Sequence, residues 1–208
     1  ERIHLETSSV LIRQQHLEYV LSHPQWRPYT QHAQAPLNSL VSVPPTDVCL
    51  YKTHANPFYG WDNEYGVHKV HVKAFAASRY LVSNQEFLGF VEDGGYTQPQ
   101  LWSTEGQAWL EFSQAKHPTF WLASAQGWQL RLMTDVVTMP WNWPVEINFH
   151  EAKAFCNWKS KITGEKVRLP SEDEWYALYQ NTHLSPEQIQ QYANLQLNLA
   201  ASSCPVDH

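Results

Sequence analysis

Charge is scarce in this sequence. Only 16% of its 208 residues are Asp, Glu, Lys or Arg, and together they leave a net charge of -6. Such a balance offers no field to draw in nucleic acid or an anionic membrane surface, so neither is expected as a partner. Cysteine is scarce too: Cys49, Cys156 and Cys204 are odd in number and far apart. That excludes a disulfide framework and a C-x-x-C zinc site, and it makes a reducing compartment, the cytoplasm, the expected location. No apolar run approaches the ~20 residues of a membrane-spanning helix. The start is polar, unlike a signal peptide, and no initiator methionine stands before Glu1.

Aromatic residues are plentiful by contrast: ten Trp, ten Tyr and eight Phe. With an apolar fraction of 43%, they indicate a folded chain with large packed loops. From Arg2 to about Leu21, Ile3, Thr7, Val10, Leu11 and Leu17 recur at helical spacing. A lone amphipathic helix is marginal in water, so this one is expected to be the last helix of a bundle, residues 1–22, whose other helices precede Glu1. Residues 23–47 hold five prolines and no period, and read as an extended linker. A further domain is expected over 48–208.

Within that domain, "VHKVHVKAF" alternates Val70, Val72 and Ala74 against His71 and Lys73, which predicts a strand. Three helices announce their starts. Ser83 with Glu86, Asn148 with Glu151, and Ser171 with Glu174 each form a capping-box pattern. Gly94 with Gly95 and Gly164 mark two of the ends. Ala152, Phe155 and Cys156 are expected to face inward, and Trp175 to anchor the third helix in the core. The aromatic stretch between the first two helices allows short strands only. The fold class is therefore α+β, with few short helices, little sheet and much ordered loop.

Candidate chemistry begins at His4. Two histidines four apart on a helix can share an ion, but position 8 is Ser8. His68 and His71, three apart on a strand, point to opposite faces. His117 and His150 read as loop and capping residues, Cys156 as core, and Cys204 as structural.

The segment "ERIHLETSSVLIRQ" resembles the end of the H-x-x-x-H-x-E motif of the iron-dependent sulfoxide synthases of thiohistidine biosynthesis, most closely the 5-histidylcysteine sulfoxide synthases of the ovothiol pathway. "NPFYGWDNEYG", "PTFW", "PWNWPVEINFHEAKAFCNWK" and "VRLPSEDEW" are similar to the formylglycine-generating-enzyme-like domain, a loop-rich variant of the C-type lectin fold. The resemblance implies a DinB-like helical bundle ahead of the lectin-like domain and Fe(II) as cofactor. It makes His4 a metal ligand, with two further histidines upstream and Glu6 behind the ligands. The expected substrates are cysteine, histidine and dioxygen, and the expected product is 5-histidylcysteine sulfoxide. This stretch by itself is expected to be inactive, because further substrate-pocket segments, and often a methyltransferase domain, follow downstream in such proteins. Two other readings stay open: an ergothioneine-type sulfoxide synthase with trimethylated histidine as acceptor, and a non-catalytic lectin-like binding module. A true formylglycine-generating enzyme uses a late cysteine pair for copper, and no such pair occurs here.

Overall fold

The computed structural model describes residues 2–182, 184–197 and 199–208. The chain divides into two compact units. One comprises Glu1–Asn38, Tyr80–Leu169 and Pro186–His208; the other comprises Ser39–Arg79 and Pro170–Ser185.

The smaller unit is a two-stranded ribbon with a helix on it. Strands β1 (Leu40–Val43) and β4 (Phe75–Ser78) pair antiparallel, as do β2 (Thr46–Lys52) and β3 (Gly66–Val72). Pro44 and Pro45 separate β1 from β2 opposite Lys73 and Ala74. Proline has no N–H to give to the ladder, so one long ribbon becomes two short ones. The strand expected through Ala74 accordingly stops at Val72, and Ala74 is exposed.

Val43, Val48 and Val72 form the core of this unit with Ala177 of α5 (Glu172–Thr182). The start of α5 follows the sequence pattern: Ser171 N–H donates to Glu174 at 2.8 Å, and Glu174 N–H donates to Ser171 Oγ at 3.2 Å. Trp175 does not anchor the helix. It is 52% exposed and stacks on Tyr179, whereas Ala177 is fully buried. Two residues span about 200° of helix, so the two side chains lie on nearly opposite faces, and the small Ala177 brings the backbone close to the ribbon.

In the larger unit, α2 (Asn84–Glu92), α3 (Thr104–Ser113) and α4 (Phe149–Thr163) share one core with an antiparallel meander of β5 (Trp121–Ser124), β6 (Gly127–Arg131) and β7 (Val136–Thr138). The core between them is aromatic. Phe87 stacks on Phe155 with centroids 5.4 Å apart, and Phe90 meets Trp158 edge-on at 5.9 Å. Phe155 and Cys156 of α4 are buried as the helical spacing predicts, while Ala152 is half-buried. Asn84 is buried without penalty because its amide donates to the Pro140 carbonyl at 2.9 Å and accepts from Trp121 Nε1 at 3.3 Å.

Ser83 caps α2 by accepting from Glu86 N–H at 3.1 Å. The Glu86 carboxylate does not return to Ser83 N–H; it accepts from Asn38 Nδ2 at 2.8 Å and lies 3.7 Å from Lys159. After α2 the chain turns through Gly94 at φ 71, and a Cβ on Gly95 would run into the Phe90 ring. Both glycines are required there, for different reasons.

The capping box of α4 is complete, and Glu151 does more than cap. It is 2% exposed, takes Asn148 N–H at 2.9 Å on Oε2, and accepts the Tyr96 hydroxyl at 2.5 Å on Oε1. Burial pushes the Glu151 carboxyl above its ordinary value, while the hydrogen bonds from Tyr96 and Asn148 pull it down. Burial beside that carboxylate also raises the Tyr96 phenol.

Helix α1 spans Arg2–Arg13, shorter than the expected run to Leu21. Beyond it lie a turn and a 3-10 segment, Leu17–Tyr19, entered through the extended His16. Val10, Leu11 and Leu17 of the predicted stripe are exposed, and the residue buried at the end of α1 is Arg13. The described residues of 1–22 form no helical bundle.

The proline-rich stretch is partly pinned down. Within the larger unit, Ala201 N–H donates to the Arg27 carbonyl at 2.9 Å, Tyr29 N–H to Ser202 Oγ at 2.8 Å, and Ala33 N–H to Asn142 Oδ1 at 3.3 Å. A short helix, α6 (Pro186–Tyr192), and a loop lead to this closing segment. No helix among the described residues is long and apolar enough to cross a membrane.

Candidate functional site

The larger unit holds a cavity of about 560 Å³. Ser9, Val10 and Arg13 of α1 form one wall, Leu130, Leu132 and Met133 another, and Glu146 with Ala193, Asn194 and residues 201–206 most of the rest. Such a volume suits a small-molecule ligand. The loop at 194–202 is held in shape by its own hydrogen bonds. Asn194 Nδ2 donates to the carbonyls of Ala200 and Ser202, at 3.0 and 2.7 Å, while Asn194 Oδ1 accepts from Leu199 N–H at 2.9 Å and Ala200 N–H at 3.2 Å.

Arg13 is the charged centre of this wall. Its Nε donates to the Arg131 carbonyl at 3.0 Å, its Nη1 pairs with Glu146, and its guanidinium lies 3.7 Å from the centre of the Phe120 ring. Stacking and ion pairing together fix the plane of the fork. Arg131, also buried, donates from Nη2 to the Gln15 carbonyl at 3.3 Å. Burial and the neighbouring Arg13 charge both lower the Arg131 guanidinium from its ordinary value, with Asp135 acting the other way. Cys204 lines the same cavity, but burial raises its thiol and keeps it protonated at neutral pH. It is therefore no ready nucleophile.

The sequence-predicted site residues stand elsewhere. His4 is exposed on α1, and the Glu6 side chain lies outside the described residues. Among the described residues, no three His, Cys, Asp or Glu side chains gather to hold a metal ion. His4 offers one imidazole and Ser8 stands where a helical partner would be, so the donors described here do not by themselves fit ferrous iron.

His68 lies 3.1 Å from Asp173, and His71 lies 2.7 Å from Asp47, so the two imidazoles engage different partners. His117 Nδ1 lies 3.0 Å from the Pro118 carbonyl in a loop. His150 stacks on Trp109 beside the start of α4. Sequence reasoning missed Arg13, Arg131 and Glu146. The available signal was an arginine closing a helix after Leu11 and Ile12, which reads as a cation at a helix C-terminus.

A second hollow, in the smaller unit, is lined by Lys52, Glu64, Tyr65, His68, Glu172 and Tyr176 among others. Its cation is already satisfied: Lys52 Nζ donates to the Tyr59 carbonyl at 2.8 Å and lies 3.5 Å from Glu64.

Curated relatives share more than half of the chain. It is 35% identical over 115 residues to the hercynine oxygenase of Mycolicibacterium smegmatis, a match covering 55% of this chain and 25% of that protein. It is 36% identical over 118 residues to the hercynine oxygenase of Mycolicibacterium thermoresistibile, covering 56% and 24%. The same enzyme of Mycobacterium tuberculosis matches at 35% over 115 residues, covering 55% and 25%. The match thus spans about a quarter of the length of these relatives. Residues 27–192 match the sulfatase-modifying factor enzyme 1-like domain, starting inside the proline-rich stretch at 23–47. With most of its length so matched, the chain belongs to the sulfatase-modifying factor enzyme 1-like domain family.

Proposed function

We propose that the full-length protein is an oxygenase of the sulfoxide-synthase type that joins the sulfur of cysteine to an imidazole carbon of histidine. The observation that carries the oxygenase part of this reading is the 35–36% identity to hercynine oxygenases within a shared domain family. The "ERIHLE" segment supports it from the other end of the chain. In the reaction, the thiol S–H and one imidazole C–H are broken and a C–S bond forms. One oxygen atom of O₂ ends on sulfur and the other leaves as water, so the two substrates supply four electrons. Ferrous iron, with His4 as one ligand and donors from outside the described residues, belongs to the same proposal. The cytoplasm is its proposed setting.

The names of the relatives favour a second acceptor. Their similarity supports hercynine, the trimethylated betaine of histidine, whereas the "ERIHLE" resemblance supports histidine itself. A competition assay separates the two. The full-length protein, supplied with ferrous iron, oxygen and cysteine, is given equal histidine and hercynine, and the products are resolved by mass. The histidine adduct is expected to dominate. Dominance of the hercynine adduct would reassign the acceptor, and formation of neither would reject the oxygenase reading.

A further inference from the structure

Beside the cavity along α1 lies an unmet demand for hydrogen bonds. Arg13, which lines the cavity, is 9% exposed, and Arg131, which does not line it, is 7% exposed; among the described residues Arg13 Nη2 and Arg131 Nη1 have no partner. A buried guanidinium N–H left unpaired is costly, and such groups in native proteins call for an acceptor. Among the described residues of the closing loop, Asn194 is fully engaged and Ser202 Oγ donates to the Ser203 carbonyl at 2.9 Å. Glu146 engages Nη1 only, and its side chain remains 38% exposed on the cavity wall. The wall therefore presents the Arg13–Glu146 pair to the cavity, a guanidinium charge beside a partly exposed carboxylate, while the unpaired Nη2 has no surface open to the cavity.

We propose that Arg13 and Glu146 bind the zwitterionic head of an α-amino acid in this cavity, Arg13 taking the carboxylate and Glu146 the ammonium group. Nη1, given up by Glu146, offers the carboxylate a charge-assisted hydrogen bond. Stacking on Phe120 and the bond to the Arg131 carbonyl hold the guanidinium in place, so little ordering accompanies binding. The Arg13–Glu146 pair shields each charge with the other. An amino acid inserts between them and replaces one ion pair by two. Apolar Leu130, Leu132, Met133 and Val206 line the remaining space for the side chain. The proposal rests on the oxygenase reading only for the identity of the amino acid, histidine being the first candidate.

The test uses the full-length protein and anaerobic calorimetry, so binding is read without turnover. The probes are histidine, histidine amide, which lacks the carboxylate, and N-acetylhistidine, which lacks the ammonium group. Wild type is expected to bind histidine about 10- to 150-fold more tightly than the amide, the range of a hydrogen bond to a charged group. Arg13→Gln should weaken histidine by a similar factor while leaving the amide unchanged, and Arg13→Lys should recover part of the loss. Glu146→Gln should do the same for histidine against N-acetylhistidine. Equal binding of histidine and its amide by wild type would overturn the proposal, as would equal weakening of both by Arg13→Gln. So would failure of wild type to bind histidine at all. If Arg13→Gln does not fold, the wild-type probe series and Glu146→Gln still decide. The two readings fail separately: tight, carboxylate-dependent binding without sulfoxide product would sink the oxygenase reading alone, and product without carboxylate dependence would sink this site alone.

Discussion

Tyr96→Phe tests the buried hub at Glu151. The substitution keeps the ring among Phe90, Trp102 and α4 and removes only the hydroxyl that donates to Glu151 Oε1 at 2.5 Å. Glu151 is 2% exposed, so no water replaces the lost donor. When the carboxyl is ionised, the loss should cost about 1.5–3 kcal/mol; when it is neutral, about 0.5–1.5 kcal/mol. For a chain of this size the larger figure corresponds to a melting temperature lower by about 3–12 °C.

The pH dependence carries the distinctive signature. Burial holds the native Glu151 carboxyl above its ordinary 4.5, so the native state binds that proton more tightly than the unfolded chain does. Its contribution to stability is complete below the ordinary value and declines as pH rises through the raised one. The Tyr96 hydroxyl opposes that rise by favouring the ionised form, so removing it raises the native value further. The gap between wild type and Tyr96→Phe should therefore widen as pH increases. Thermal melts of both proteins followed by near-ultraviolet circular dichroism, at about pH 4 and about pH 7, measure it. A gap of equal size at both pH values, or none at neutral pH, would refute the assignment of Glu151 as a buried, hydroxyl-supported carboxyl.

Three further outcomes are expected. Trp175→Ala should lower stability by well under the ~3–5 kcal/mol of a buried indole, because Trp175 is half exposed, whereas Ala177→Leu should cost about 1–3 kcal/mol by overpacking; denaturant melts compare the two. Ser171→Ala should cost about 1 kcal/mol in the same melts through loss of the α5 cap. His4→Ala in the full-length protein should abolish iron retention after desalting and shift stability by no more than about 0.5 kcal/mol, since His4 is exposed; full iron content would remove it from the ligand set.

Local signals in the sequence were legible where both partners lie within one helical turn. Asn148 with Glu151 and Ser171 with Glu174 close their capping boxes as spaced, and Gly164 ends α4 at φ 72. Glu86 departs because Asn38, 48 residues away, offers a competing donor that no local pattern reveals. Trp175 shows a different limit. Helical spacing places Trp175 and Ala177 on different faces but does not say which face meets the ribbon, and the close approach of α5 selects the smaller residue. Pro44 and Pro45 were visible as breakers, yet they interrupt a ribbon instead of extending a linker, because the partner strand also breaks opposite them. The α1 cavity was the least legible feature. Arg13, Arg131 and Glu146 are brought together across more than 100 residues of chain, and a low overall charge gave no hint that two guanidinium groups would share one buried neighbourhood.

The function we propose for the full-length protein couples a thiol to an imidazole and places oxygen on the sulfur. Isotope-labelled dioxygen tests it most directly. The full-length protein, with ferrous iron, cysteine and an imidazole amino acid, is run under labelled O₂ in unlabelled water, and the adduct is analysed by mass spectrometry with fragmentation. The account predicts a single adduct of both substrates that carries one labelled oxygen on its sulfur. Oxidised cysteine without any imidazole adduct, or an adduct whose oxygen comes from water, would contradict it.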